Sequence, residues 1–157
     1  MEELHYRVIR AEVESQLKEI ERLFREVESR KKRAKRSKAF LESLGYQLHN
    51  LYSAFEDLFK IIAGYFENRV TDSTKYHKEL LKKMTIAVPG VRPALLSEEL
   101  YRHLDELRAF RHYFRHAYLH ELRYDKIKGV IEASEKVRSL YRRDINSFLR
   151  KLKESIR

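Results

Sequence analysis

The stretch YRVIRAEVESQLKEIERLFREV, residues 6–27, carries apolar side chains at Tyr6, Ile9, Val13, Leu17, Ile20, Phe24 and Val27. Steps of three and four put these on one face only if the chain is α-helical, so a long amphipathic helix opens the fold. The spacing resumes at Phe40, Leu41, Leu44, Leu48, Leu51, Phe55, Leu58, Phe59, Ile62 and Phe66, which predicts a second helix of similar length. Between them lies Arg30-Lys31-Lys32-Arg33-Ala34-Lys35-Arg36-Ser37-Lys38, a dense cationic run at what would be the tip of a helical hairpin. Such a run is either a solvated tip or an arm that touches phosphates.

Val70-Thr71-Asp72-Ser73 breaks the pattern and offers N-cap side chains for a short third helix to about Met84, carrying Tyr76, Leu80, Leu81 and Met84. In Val88-Pro89-Gly90-Val91-Arg92-Pro93 the fixed φ of proline and the freedom of glycine predict an ordered turn. Ser97 is a suitable N-cap, and Glu98 and Glu99 suit the positive end of the dipole, so a fourth helix starts there and extends to about Leu119. Asp125 can cap a last helix carrying Ile127, Val130, Ile131, Val137, Leu140, Tyr141, Ile145, Phe148 and Leu152. About five helices with short connections and no strand signal predict an all-α, up-and-down helical bundle, folded as a single domain over residues 1–157.

Composition agrees with long amphipathic helices: 43% hydrophobic, 37% charged, and only four Gly and two Pro. The absence of cysteine excludes disulfides, thiolate metal sites and a cysteine nucleophile. No apolar run is long enough for a membrane span and Met1-Glu2-Glu3-Leu4-His5 does not read as a signal peptide, so a cytoplasmic location is expected. A net charge of +10 favours polyanionic partners: RNA, DNA, nucleotides or an acidic protein.

The stripe of the fourth helix reads Leu100, Leu104, Leu107, Arg111, Phe114 and Tyr118, with arginine at a core position. A guanidinium keeps its charge and is costly to desolvate alone, so Arg111 either pairs with a structural carboxylate such as Glu56 or Asp57, or serves an anion site. His112, His116 and His120 recur every four residues. Three imidazoles in line on one helix cannot surround a metal ion, so no metal site is assigned, and acid–base work suits a group that titrates near neutral pH. Arg111 and His116 lie five apart, roughly 140° around an ideal helix. To act on one small target they need either a second copy of the helix, in a two-fold dimer, or a distortion near the helix end. His77, just before Leu80 and Leu81, either faces the same cleft or is a satisfied surface or core histidine.

Arg111-x4-His116-x-Tyr118 resembles the Arg-x4-His-x-Tyr signature of HepT toxins, within the HEPN superfamily marked by Arg-x4–6-His. The segments Leu51 to Glu56, Pro89 to Ser97 and Leu104 to Arg108 resemble the HepT-like ribonuclease branch, and the likeness runs from about Gly45 to Leu149. The first helix is similar only in being long and helical. His112 matches the polar residue that usually follows the arginine, whereas His120 lies outside the pattern.

The resemblance implies a metal-independent endoribonuclease without cofactor, whose cleft is formed by two protomers. On that pattern His116 is the acid–base group for attack by the ribose 2′-hydroxyl and Arg111 stabilises charge on the phosphorane, while His112 and Arg115 position the substrate. It also implies a minimal nucleotidyltransferase antitoxin as partner, transferring AMP to Tyr118. Two other classes stay open: a non-catalytic module that binds nucleotide or nucleotidyltransferase, and a plain nucleic-acid-binding bundle that relies on the run from Arg30 to Lys38.

Overall fold

The computed structural model of the protein describes residues 1–67, 75–117 and 121–156. Among them are five helices: α1 (Glu3–Ala34), α2 (Lys38–Phe66), α3 (Tyr76–Lys83), α4 (Glu98–Arg115) and α5 (Tyr124–Glu154). No strand occurs among the described residues beyond an isolated bridge between Val88 and Arg92. The all-α helical bundle expected from periodicity is the architecture observed. No described helix is long and apolar enough to cross a membrane.

The predicted stripe of the first helix, Tyr6 to Val27, is buried along its whole length. It meets the stripe of α2, and α5 closes over the pair while α4 packs between α2 and α5. The apolar residues of all five helices fall into one continuous cluster. At its centre Phe24 stacks on Tyr141 (5.3 Å between centroids), and Phe55 meets Tyr141 edge-on at 5.7 Å. The Tyr141 hydroxyl reaches the bundle's edge and donates to Glu21 at 2.6 Å, so the ring is buried without stranding its polar end.

Helix ends follow local capping chemistry, with three departures from expectation. Ser37 and Ser97 accept from the backbone N–H groups of Phe40 (3.3 Å) and Leu100 (3.2 Å), closing the N-termini of α2 and α4. The Asp144 carboxylate on α5 accepts from both the backbone N–H and the hydroxyl of Ser97, at 2.8 and 2.7 Å, and so fixes the start of α4 to α5. Helix α5 begins one residue before Asp125, with extended Arg123 at the N-cap and Asp125 in the first turn, where its charge suits the dipole. The third helix starts at Tyr76, and the expected caps Thr71, Asp72 and Ser73 lie outside the described residues. Helix α4 stops at Arg115 rather than near Leu119, because His116 leaves helical conformation (φ −109°, ψ 17°) and its N–H turns back to the carbonyl of Tyr113.

The Pro89-Gly90 turn is ordered as predicted. Gly90 takes φ +76°, a conformation that favours glycine, and Val88 and Arg92 exchange backbone hydrogen bonds around it. Buried Arg92 then donates to Glu67 and to the carbonyls of Lys83, Ile86 and Pro93, which anchors the turn to α2 and α3. Helix α3 is thereby held against both α2 and α4.

Candidate functional site: a basic groove between α3 and α4

Helices α3 and α4 leave between them a groove of about 500 Å³, lined by Lys75, His77, Lys78, Arg108, Arg111, His112, Arg115 and His116. Every described lining residue is a cation or a histidine. Such walls attract anions and give planar guanidinium donors to hold phosphate oxygens.

Arg111 does not occupy the middle of the apolar seam. Phe110 fills the core there, together with Leu100, Leu104 and Leu107, so the stripe of α4 runs through Phe110 to the partly buried Phe114. This shifts Arg111 to the seam's margin, where it forms the groove floor with 16% of its side chain exposed. Beneath it, Glu56 on α2 is the carboxylate offered by the sequence as a partner: Arg111 Nη1 is 3.5 Å from Glu56 Oε1, and Lys60 Nζ is 3.7 Å from the same oxygen. The pair is monodentate, and Arg111 Nε is buried with no hydrogen-bond partner among the described residues. Of the two carboxylates the sequence offered, Glu56 is therefore the one that pairs with the guanidinium, while Nε stays buried beneath the groove and, among the described residues, unbonded.

Glu56 has a closer neighbour than either cation. The His77 Nδ1–H donates to both carboxylate oxygens, at 2.9 and 2.8 Å, and Arg111 Nη1 lies 3.3 Å from the same ring nitrogen. A carboxylate only accepts, so the proton sits on Nδ1. Sequence reasoning left His77 outside the site; the one signal for it was its place three and four residues before Leu80 and Leu81, at the border of the buried face of α3.

His116 and Arg111 line the same groove although five residues separate them. Of the two ways to reconcile their directions, the structure contains the distortion: α4 ends between them, and the turn at His116 carries its ring back. The ring is exposed and its Nδ1–H donates to the carbonyl of His112 at 2.9 Å, while the rings of His112 and His116 stand 4.6 Å apart. Tyr118 and His120 lie outside the described residues, so the expected modification site and the third histidine of the ridge have no structural account.

Behind the groove, His49 on α2 contacts Phe114 at 5.6 Å. Burial pushes its imidazole below the usual histidine range; the nearby Arg111 and Arg115 charges act the same way and the contact with Asn50 opposes them. Buried Tyr52 has no hydrogen-bond partner for its hydroxyl among the described residues, and burial raises its phenol above the ordinary range, with the Glu56 charge adding to the effect.

The cationic run is mostly helical, forming the last turn of α1 before a turn into α2. Arg30 pairs with Glu26, Lys31 with Glu28 and Glu135, and Lys38 with Glu121. Arg33 sits over the Phe40 ring and Lys35 over Tyr124. Much of the run is thus occupied within the fold rather than simply solvated.

A five-helix bundle whose short third helix and fourth helix enclose a groove of arginine and histidine defines the class of protein. A family model described as HepT-like protein matches residues 43–152, which takes in α2 to α5 apart from a few terminal residues. The chain belongs to this HepT-like family of the HEPN superfamily. No curated protein and no solved structure matches it.

Proposed function

We propose that the chain is the toxin of a toxin–antitoxin pair, a metal-independent endoribonuclease acting in the cytoplasm as a two-fold dimer of one HEPN-like domain. The observation that carries this reading is the groove itself, where Arg111, His112, Arg115 and His116 stand together with no carboxylate among the described lining residues. Arg111, on the groove floor, would hold the phosphate and stabilise the charge that grows in the transition state, a contribution of about 10²–10³-fold for one well-placed donor. His116, with Nδ1–H on a carbonyl, presents Nε2 to take the proton of the 2′-hydroxyl as its oxygen attacks phosphorus. His112 and Arg115 would position the strand. The exposed ring of His116 leaves it accessible to a second copy of the chain.

The partner in this reading is a minimal nucleotidyltransferase antitoxin that transfers AMP to Tyr118. An adenylate two residues beyond His116 would bring negative charge and bulk to the place an RNA phosphate must occupy.

The experiment is expression in a bacterial host together with RNA cleavage by the purified chain in the presence of EDTA. Growth arrest and cleavage that vanish in folded His116→Ala and Arg111→Ala support the nuclease. Unchanged arrest in both variants refutes it.

The Glu56–Arg111 pair favours a second reading, in which the groove is a non-catalytic seat for nucleotide or for the nucleotidyltransferase. A protein that binds its partner tightly, causes no arrest and leaves RNA intact supports that reading.

A further inference from the structure

We propose that His77 is a second acid–base group of the groove, working opposite His116 on the same phosphodiester within one protomer. The chemistry rests on the nuclease reading; the placement rests on geometry alone.

His77 projects from the first turn of α3, while His116 ends α4 on the facing wall. Their rings are held in the same manner. Each has Nδ1–H committed to an oxygen acceptor, the Glu56 carboxylate for His77 and the His112 carbonyl for His116. Nε2 is therefore, in both rings, the nitrogen left to take up or give away a proton. The His77 side chain lines the groove and is 40% exposed, whereas Glu56, bonded to its Nδ1 side, is 3% exposed. A carboxylate buried behind an imidazole fixes its tautomer and orientation and supplies a counter-charge when the ring carries two protons. Glu56 already has Arg111 and Lys60 as counter-charges, so charge balance alone gives no reason for the shorter contact to His77.

Cleavage by a 2′-hydroxyl needs two proton transfers. The 2′-oxygen forms its bond to phosphorus as its proton passes to His116 Nε2. The bond from phosphorus to the 5′-oxygen breaks as that oxygen receives the proton held on His77 Nε2. The products are a 2′,3′-cyclic phosphate and a free 5′-hydroxyl, and the two imidazoles exchange protonation states through water before the next turnover. His77 contacts Glu56 from α2 and Arg111 from α4, and it shares the groove with Lys75 and Lys78 on its own side and with Arg108, His112 and Arg115 from α4. The lysines and arginines among them are cations suited to the phosphate between the two rings.

Two measurements test this. The first is steady-state cleavage of one RNA by wild type, His77→Ala and His77→Asn, with folding checked by circular dichroism. Asparagine keeps an N–H donor where Nδ1 stood and removes the reactive nitrogen. Both variants should lose about 10²–10⁴-fold in kcat with little change in KM. Recovery of wild-type kcat in His77→Asn makes the residue a structural prop and overturns the proposal. Cleavage that survives in His77→Ala removes His77 alone, whereas a wild type that leaves RNA intact removes the nuclease reading and the acid–base role together. The second measurement, on unmutated protein, follows the imidazole ¹⁵N resonances during titration with uridine 3′-monophosphate. Movement of both His77 and His116 Nε2 with one dissociation constant supports the facing pair; movement of His116 with His77 unmoved overturns it.

Discussion

Gly45 on α2 lies directly against Phe114 near the end of α4: a Cβ at position 45 would sit 3.0 Å from Phe114 Cε2 and 3.1 Å from Leu122 Cδ2. The bare backbone of α2 is the seat on which the last turn of α4 rests. That turn carries Arg115 and His116, so the close approach sets where the groove's outer wall stands.

Three glycine-to-alanine exchanges separate this contact from helix propensity. Gly64 and Gly129 lie within α2 and α5 with nothing within 4 Å of an added Cβ. Each should gain about 0.5–1 kcal/mol as alanine, seen as a higher melting temperature. Gly45→Ala should gain nothing or lose stability as Phe114 is pushed aside; a gain equal to the other two would contradict the contact.

Tyr52 buries a hydroxyl without a partner among the described residues. Leaving such a group unsatisfied costs about 1–3 kcal/mol, so Tyr52→Phe should stabilise the protein by roughly 1 kcal/mol in a denaturant titration. A loss of stability instead would mean that the hydroxyl is bonded in solution.

His49 makes stability depend on pH in a predictable direction. Its folded value is held below the ordinary histidine range, so the unfolded chain binds its proton first as pH falls. Stability is fully present above the ordinary histidine value near 6.5 and is lost as pH drops through the folded value. Wild type should therefore lose more stability between pH 7 and pH 5 than His49→Phe does, and identical slopes would remove His49 as the cause.

The Asp144 carboxylate is the tie between α5 and the start of α4. Asp144→Ala leaves the backbone N–H of Ser97 without its acceptor and should cost about 1–3 kcal/mol. In a double-mutant cycle Ser97→Ala and Asp144→Ala should be non-additive; strict additivity would show that the two do not act together.

The helices were legible because burial imposes a period that survives in the text: residues 6–27 and 40–66 contain their own pattern. Helix ends were less so. Nothing in Phe114-Arg115-His116 marks a stop, since α4 ends there on neither a glycine nor a proline, just after Phe114 comes to rest against Gly45. The same applies to Arg111, where the adjacent Phe110 takes the core position and Arg111 the margin, a difference of one residue that the spacing alone leaves open. The contact of Glu56 with His77 joins residues 21 apart through the docking of a separate helix, and no local rule reports it. Arg111, His112, Arg115 and His116 could be singled out because four of the six positions from Arg111 to His116 carry a guanidinium or an imidazole on one stretch of chain.

The inner wall of the groove is an eight-residue helix, too short to persist in water on its own. It stays folded through Leu80, Leu81, the Arg92 anchor and the His77 contact, a small number of links beside those that hold α1, α2 and α5. Its amide protons should therefore exchange with solvent well ahead of those at the centre of α2, with an opening energy below that of global unfolding. A molecule able to capture that opened form would silence the groove by unseating α3, without ever entering the space between the histidines.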